Sequence, residues 1–410
     1  MNKLFANRIN KVPRSFVREI LKFTADKSVI SFAGGLPNPN FFPVKEISDA
    51  AVNVLKEDGT AVLQYSTSEG YLPLRKYISN MYKVKKGIEI LPDNIIITSG
   101  AQQAIALTCK TFLNTGDHVV IEKPSFLGAI QTISFYEPEF HGVELLERGI
   151  DTVKLEEVYK NYNIKLFYAV PNFHNPSGIT YSNKTRQEVA EILSRYESIL
   201  IEDDPYSEIR FEGESQPSFK SIIPKNVILT GSFSKTVSPS LRVGWLAADE
   251  ELIDKIILSK QASDLHTGYL SQRILYRYLL DNDFEKHISE ICNFYCNQKD
   301  YMIQMMKKHF PEEVTYTNPQ GGMFIWVTLP DYLSASVLLE MALEKKVAFV
   351  PGKEFYTDGG GQNKFRLNYT NSNKELIERG IQILGKLIKQ MSLEYHSHRL
   401  ESLKNEKVYQ

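Results

Sequence analysis

The stretch "NVILTGSFSKTVSPSLRVGWLAAD", residues 226–249, sets two apolar runs, "NVILT" and "VGWLAA", on either side of a loop rich in hydroxyls. Lys235 stands inside that loop, and Arg242 closes it. A run of β-branched and apolar residues without polar alternation suits a strand buried on both faces. The loop leaving such a strand is held against an interior. A lysine in a dry site gives up its proton more readily and becomes a nucleophilic amine. The competing reading, a solvated basic loop, has both apolar flanks against it.

Runs of the same texture recur upstream: "NIIITSG" (94–100), "HVVIEKPSF" (118–126), "KLFYAVPNF" (165–173) and "SILIEDDPY" (198–206). Amphipathic stretches lie between them, such as "GAQQAIALTCKTFLN" (100–114) and "YSNKTRQEVAEILSRY" (181–196), the latter with Ser182 as its N-cap. Strand and helix in alternation predict an α/β fold with a mainly parallel sheet. Ligands gather at the carboxyl ends of such strands, so the residues after each run are the candidates for chemistry.

Those residues form an uncommon set. "TSGAQQA" supplies Ser99, Gly100, Ala101 and Gln102 where a helix begins, which is either an ordinary turn or an amide cradle for an anion. Phe126 in "EKPSFLG" fills the core or covers a flat ligand. Asn172, His174 and Asn175 crowd the rigid turn "VPNFHNPSG". In "IEDDPY", alternation puts Glu202 and Asp204 on one face and Asp203 on the other, so at least one carboxylate ends near the interior and needs a cation. Ser232, Ser234, Lys235, Thr236 and Arg242 complete the set. A single ligand would use all of them: a planar aromatic cation with a phosphate and an aldehyde. That description is pyridoxal 5′-phosphate, which proteins hold by a lysine Schiff base and an acidic partner for the pyridinium nitrogen.

Composition agrees with a small-molecule partner. Lys+Arg number 48 and Asp+Glu 49 in 410 residues, and both signs are interleaved, so no basic face points to nucleic acid or anionic membrane. No apolar stretch is long enough for a membrane span or a signal core, which reads as a cytoplasmic protein. Three cysteines are too few for a disulfide framework. Cys292 and Cys296 lie one helical turn apart, a spacing open to a metal or to one shared face of a packed helix; no metal is expected. Residues 1–45 read as an N-terminal segment packing on a smaller domain, 46–305 as the large domain, and 306–410 as a smaller α+β domain. The polar tail "EYHSHRLESLKNEKVYQ" reads as a frayed helix or disorder.

With these motifs in order, the chain resembles the class I aminotransferases of the type I pyridoxal-phosphate fold, in particular the subgroup of 2-aminoadipate and kynurenine aminotransferases. The resemblance runs from "FVREILKFTADKSVISFAGGLPNPNFFP" to "KFRLNYTN". It implies a seven-stranded, mainly parallel sheet flanked by helices. It further implies that Lys235 carries the cofactor, that Asp203 pairs with the ring nitrogen, and that Tyr206 and Asn175 meet the ring oxygen. Phe126 would stack on the ring, while Ser99, Gly100, Ala101, Gln102, Ser232, Ser234 and Arg242 bind the phosphate.

Tyr65 in "LQYSTSEGY" would reach the phosphate of a neighbouring subunit, which makes the protein a homodimer. Arg366 in "FRLNY" would clamp the substrate carboxylate, Gly35 would lie on the segment that closes over substrate, and Arg18 in "FVREILK" would meet a distal carboxylate. The implied reaction is ping-pong transfer of an amino group from an L-amino acid (2-aminoadipate or glutamate, aromatic or branched-chain) to a 2-oxo acid, with 2-oxoglutarate expected. Two departures stand out: Phe126 replaces a usual tyrosine, and Ser240 a usual glycine. A lyase reaction on the same cofactor is the alternative. The fold also serves in bacterial transcription regulators, a reading that needs a DNA-binding domain ahead of "ISFAGG", where only about 30 residues stand without a helix-turn-helix pattern.

Overall fold

The computed structural model describes residues 4–10, 12, 16, 20, 26 and 28–408, with Asn7 and residues 400–408 described by backbone alone. Its strands begin with β1 (Ile30–Ser31), β2 (Ile95–Thr98), β3 (His118–Lys123), β4 (Glu139–Leu146), β5 (Gly149–Ile150), β6 (Ile164–Ala169) and β7 (Ile199–Asp203). The remaining strands are β8 (Val227–Ser232), β9 (Gly244–Ala247), β10 (Thr315–Tyr316), β11 (Phe324–Thr328), β12 (Val347–Ala348), β13 (Val350–Pro351) and β14 (Lys364–Asn368). The central sheet has the order β2-β9-β8-β7-β6-β3-β4-β5.

Strand direction is what assembles the site. The contacts β8–β7, β7–β6, β6–β3 and β3–β4 are parallel, while β9 runs antiparallel to both β2 and β8. The carboxyl ends of β2, β3, β6, β7 and β8 therefore share one edge, and so does the amino end of β9. The loop from β8 to β9 leaves and re-enters the sheet at that edge, which is why Lys235 and Arg242 arrive together. Every residue of β2, β7, β8 and β9 is buried, as their uninterrupted apolar sequences predict.

The expected seven-stranded sheet has an eighth member. The two-residue β5 pairs antiparallel with β4 at the sheet's border. β4 itself has no apolar run, and only Val143 of its eight residues is buried, so nothing in its composition announces a strand.

Helices Ala101–Phe112, Leu127–Ser134, Asn183–Leu193 and Glu250–Asp264 flank the sheet. Ser182 caps Asn183–Leu193 as expected, its hydroxyl accepting from the Thr185 amide at 3.1 Å. That helix buries Val189, Ile192 and Leu193, each contributing about 2 kcal/mol by removal from water. One hydrophobic cluster runs from Ile97 and Trp245 through Tyr278 and Met302 to Ile325 and Ile381. It joins the central sheet, through helices Tyr269–Asp281 and Phe284–His309, to a second, antiparallel sheet of order β10-β11-β14-β13.

The N-terminal segment enters this second body of structure. β1 pairs in parallel with β12, and the Asn368 amide at the end of β14 donates to the Phe32 carbonyl at 2.9 Å. At the chain's other end, where a frayed helix or disorder is expected, helix Lys374–Val408 continues through the polar tail. Part of the reason lies at Tyr395, which stacks on Tyr332 at 4.4 Å, with His396 edge-on to the same ring. Cys292 and Cys296 share a face of helix Phe284–His309, Cys292 donating to the Glu208 carbonyl at 3.5 Å. Among the described residues no helix is long and apolar enough to cross a membrane.

Candidate active site

β7 delivers Asp203 to the shared edge, 2% exposed. Its carboxylate accepts from Tyr168 Oη and Thr230 Oγ1, both at 2.6 Å. These hydroxyls come from β6 and β8 on either side, so the sheet's register alone sets the pair. Burial pushes the carboxyl above its ordinary value, and the two hydroxyl bonds oppose that rise. A buried carboxylate with only neutral partners is a strong attractor for a cation.

Lys235 faces the same space from the loop after β8, its Nζ donating to the Gly35 carbonyl at 2.9 Å. Burial, with the charges of Arg366 and Arg242, lowers its pKa to about 8. About one lysine in ten is then a neutral amine at pH 7, far more than for an ordinary lysine.

Arg366 enters from β14 of the second sheet and is 2% exposed. Nη1 donates to Asn175 Oδ1 at 2.7 Å and Nη2 to the Ala33 carbonyl at 2.6 Å. Its Nε has no partner among the described residues. The guanidinium lies over Phe324 at 4.2 Å and Phe355 at 5.2 Å, and burial lowers its pKa to about 10, which leaves it charged at neutral pH. Tyr206 packs edge-on to Phe324 at 6.1 Å, and burial raises its hydroxyl pKa against the pull of Arg366.

The opposite end of the space is built for an anion. Helix Ala101–Phe112 starts here, its unpaired amides facing outward from Gly100. Arg242 Nη2 donates to the Ser99 carbonyl at 2.7 Å, and the Ser232 and Ser234 hydroxyls lie 2.9 Å apart. Gly100 has φ +82°, and a Cβ there would sit 2.7 Å from Arg242 Nη2. Only glycine lets the cation come this close to the amides.

Together these groups line a cavity of about 380 Å³. It gathers Gly35, Ala101, Gln102, Phe126, Asn175, Asp203, Tyr206, Ser232, Ser234, Lys235, Arg242 and Arg366, with Ile105, Leu127, Val170 and Phe324 as apolar wall. Ser99 and Gly100 stand just behind the lining. Tyr65 is not brought in: it is 80% exposed, edge-on to His266 at 5.8 Å. Arg18 lies outside the described residues. Asn172 and His174 support the wall from behind, Asn172 bonded to Asp204 and Arg186, and His174 Nε2 set 3.1 Å from Glu122.

Sequence reasoning missed Tyr168, Thr230 and Phe324. Tyr168 and Thr230 carried a readable signal, each being the lone hydroxyl inside an apolar run; Phe324 carried none. The residues present suit pyridoxal phosphate: a buried carboxylate lacking a cation, a charged cradle closed by a glycine, and an amine whose proton is loosely held.

The family described as aminotransferase class I and II matches residues 30–384. The chain is 38% identical to aromatic-amino-acid aminotransferase 1 of Thermococcus litoralis over 95% of its length and 94% of the relative's. It is also 38% identical to 2-aminoadipate transaminase of Thermus thermophilus, covering 95% of this chain and 97% of the other. The structure of Pyrococcus horikoshii kynurenine aminotransferase superposes with a TM-score of 0.90 at 39% identity, covering 95% of this chain and 98% of that one. Motif order, site chemistry and relatives agree that the chain belongs to the class I and II aminotransferases, and that it is a pyridoxal-phosphate-dependent aminotransferase of the type I fold.

Proposed function

We propose that this aminotransferase works as a cytoplasmic homodimer and moves the amino group of an aromatic or otherwise apolar L-amino acid to a 2-oxo acid, 2-oxoglutarate foremost, by a ping-pong route. The observation that carries the reading is the pairing in one cavity of a lysine amine with lowered pKa and a buried arginine whose Nε lacks a partner. When bound, the cofactor supplies the aldehyde that takes up the amino group and a ring that accepts the electron pair left at Cα.

Everything else falls to the chain. Arg366 holds the substrate carboxylate and so turns the Cα–H bond toward Lys235. The Lys235 amine takes that proton and returns it. Asp203 keeps a positive charge on the ring nitrogen, held in place by Tyr168 and Thr230. Arg242, Ser232, Ser234 and the amides of Gly100, Ala101 and Gln102 grip the phosphate. Phe126 covers the ring face, while Asn175 and Tyr206 hydrogen-bond to its oxygen. The segment through Gly35, whose described residues 28–45 belong to the N-terminal portion packed on the smaller domain, closes the cavity from above.

The donor preference rests on the apolar wall: Lys235, Arg242 and Arg366 are the cations among the described lining residues and each already has a task, so the wall suits an aromatic or apolar side chain, while the distal carboxylate of 2-oxoglutarate calls for a cation from outside that lining, for which Arg18 is the candidate that the sequence offers. The names of two relatives, aromatic-amino-acid and kynurenine aminotransferases, fit this preference, whereas that of 2-aminoadipate transaminase, equally similar to this chain, favours a donor with a second carboxylate. The exposed Tyr65, outside its own chain's cavity, supports service to a second copy.

Lys235→Ala should abolish turnover and the visible absorption of the bound cofactor; full transamination by that variant would overturn the assignment. A panel of amino donors with 2-oxoglutarate, read by glutamate formation, should rank aromatic and apolar donors first. Release of ammonia without any acceptor would instead mark a lyase.

A further inference from the structure

Lys260, on helix Glu250–Asp264, is 0% exposed and lines no part of the cavity. A buried ammonium is tolerated only when its hydrogens are matched, and here all three are. Nζ donates to Asp264 Oδ1 at 2.8 Å, to Thr267 Oγ1 at 3.1 Å and to Gln103 Oε1 at 3.1 Å.

Two of those partners lead to the anion cradle. Gln103 Oε1 also accepts from the Ser99 amide at 2.8 Å, while Gln103 Nε2 is fixed by Asp264 Oδ2 at 2.7 Å. Thr267 Oγ1 donates to the Ile97 carbonyl at 3.1 Å, two residues before Ser99. The Ser99 carbonyl is in turn held by Arg242. The residue that opens the cradle is thus gripped on its amide side by the Lys260–Gln103 pair and on its carbonyl side by Arg242. Burial lowers the Lys260 pKa, and the bond to Asp264 opposes the change.

We propose that Lys260 is a positioning residue for the phosphate end of the cofactor: through Gln103 it fixes the Ser99 peptide and so the direction of the amides that follow. This rests on reading residues 99–102 and Arg242 as the phosphate cradle. Lys260 touches no substrate or cofactor itself. Its effect is therefore confined to ligands that carry a phosphate.

The test titrates the full-length protein, stripped of cofactor, with pyridoxal phosphate, with pyridoxal and with inorganic phosphate as competitor. Lys260→Met should weaken pyridoxal phosphate about tenfold, the loss of one charge-assisted hydrogen bond, reduce competition by inorganic phosphate to match, and leave pyridoxal within about twofold. Gln103→Met, which removes the link to Ser99 but leaves Lys260 bonded to Asp264 and Thr267, should do the same and stands in if Lys260→Met does not fold. Equal weakening of pyridoxal and its phosphate would reduce Lys260 to a structural cation and overturn the proposal. Arg242→Met, measured alongside, separates the two readings. If it loses phosphate-dependent affinity while the Lys260 and Gln103 variants bind like the parent, the positioning role is wrong and the cradle stands. If Arg242→Met also binds like the parent, the cradle reading falls as well.

Discussion

Arg186 and Arg366 are both buried, at 0% and 2% exposure, yet they are opposite kinds of residue. Arg186 donates to the carbonyls of Tyr181, Pro217 and Pro171 and to Asn172 Oδ1, and lies 3.7 Å from the Glu202 carboxylate. Arg366 has two bonds, one idle Nε, two aromatic faces beneath it and no acid within ion-pair distance among the described residues. Burial therefore does not mark function by itself. What sets Arg366 apart is hydrogen-bonding capacity left unmatched in a residue that lines the cavity.

The adjacent acids repeat the contrast. Glu202 accepts from Ser218 Oγ and from the Phe219 and Lys220 amides beside Arg186, whereas Asp203 has two neutral hydroxyls.

Breaking the contrast at its functional side gives the largest effect. Arg366→Leu should lower kcat/KM about a thousandfold, roughly 4 kcal/mol of transition-state binding, while thermal unfolding shows Tm held or raised. Arg186→Met should do the reverse, costing about 3 kcal/mol of stability in denaturant titration because Glu202 is left buried without its cation, with kcat per folded molecule close to the parent. If the two variants lost activity and stability in equal proportion, the distinction would be empty.

A smaller effect follows from Lys235. With a pKa of about 8, its neutral fraction climbs about tenfold per pH unit below that value and levels off above it. The rate at which cofactor-free protein captures pyridoxal phosphate should follow that curve and flatten near pH 8; a climb continuing past pH ~10 would describe an ordinary lysine. The smallest effect sharpens the comparison as a control: Ser182→Ala removes a helix cap on the structural side and should cost about 1 kcal/mol in stability with unchanged kinetics.

Legibility in the sequence followed burial. β2, β3, β6, β7, β8 and β9 are apolar runs because both their faces are covered, and six such runs were enough to predict the sheet and where its ligand lies. β4 escaped because most of its residues meet solvent; pairing with β3, a tertiary fact, makes it a strand. For the polar tail from Glu394 the sequence leaves frayed helix and disorder open, since no local periodicity reports that Tyr332 stands ready to stack on Tyr395. Of the site, the residues at strand ends were readable because topology places all such ends together. Tyr168 and Thr230, inside the strands, act on Asp203 only through cross-strand register. Phe324 comes from a different sheet altogether. Lys260 carries no signal in the sequence, since two of its three partners, Gln103 and Thr267, lie outside its own helix.

The glycine at position 100 carries a consequence for how this chain can vary. Gly116 has a φ of +85°, close to that of Gly100, but nothing lies within 4 Å of where its side chain would be. A replacement there meets a backbone penalty alone, which asparagine partly escapes. At residue 100 the same penalty is joined by a guanidinium 2.7 Å from the added carbon, so asparagine gains nothing. Two filters, one conformational and one steric, act on a single codon. A side chain at that site has to displace the Arg242 guanidinium, and with it the bond to the Ser99 carbonyl, which makes the two positions a linked pair in any library built on this scaffold.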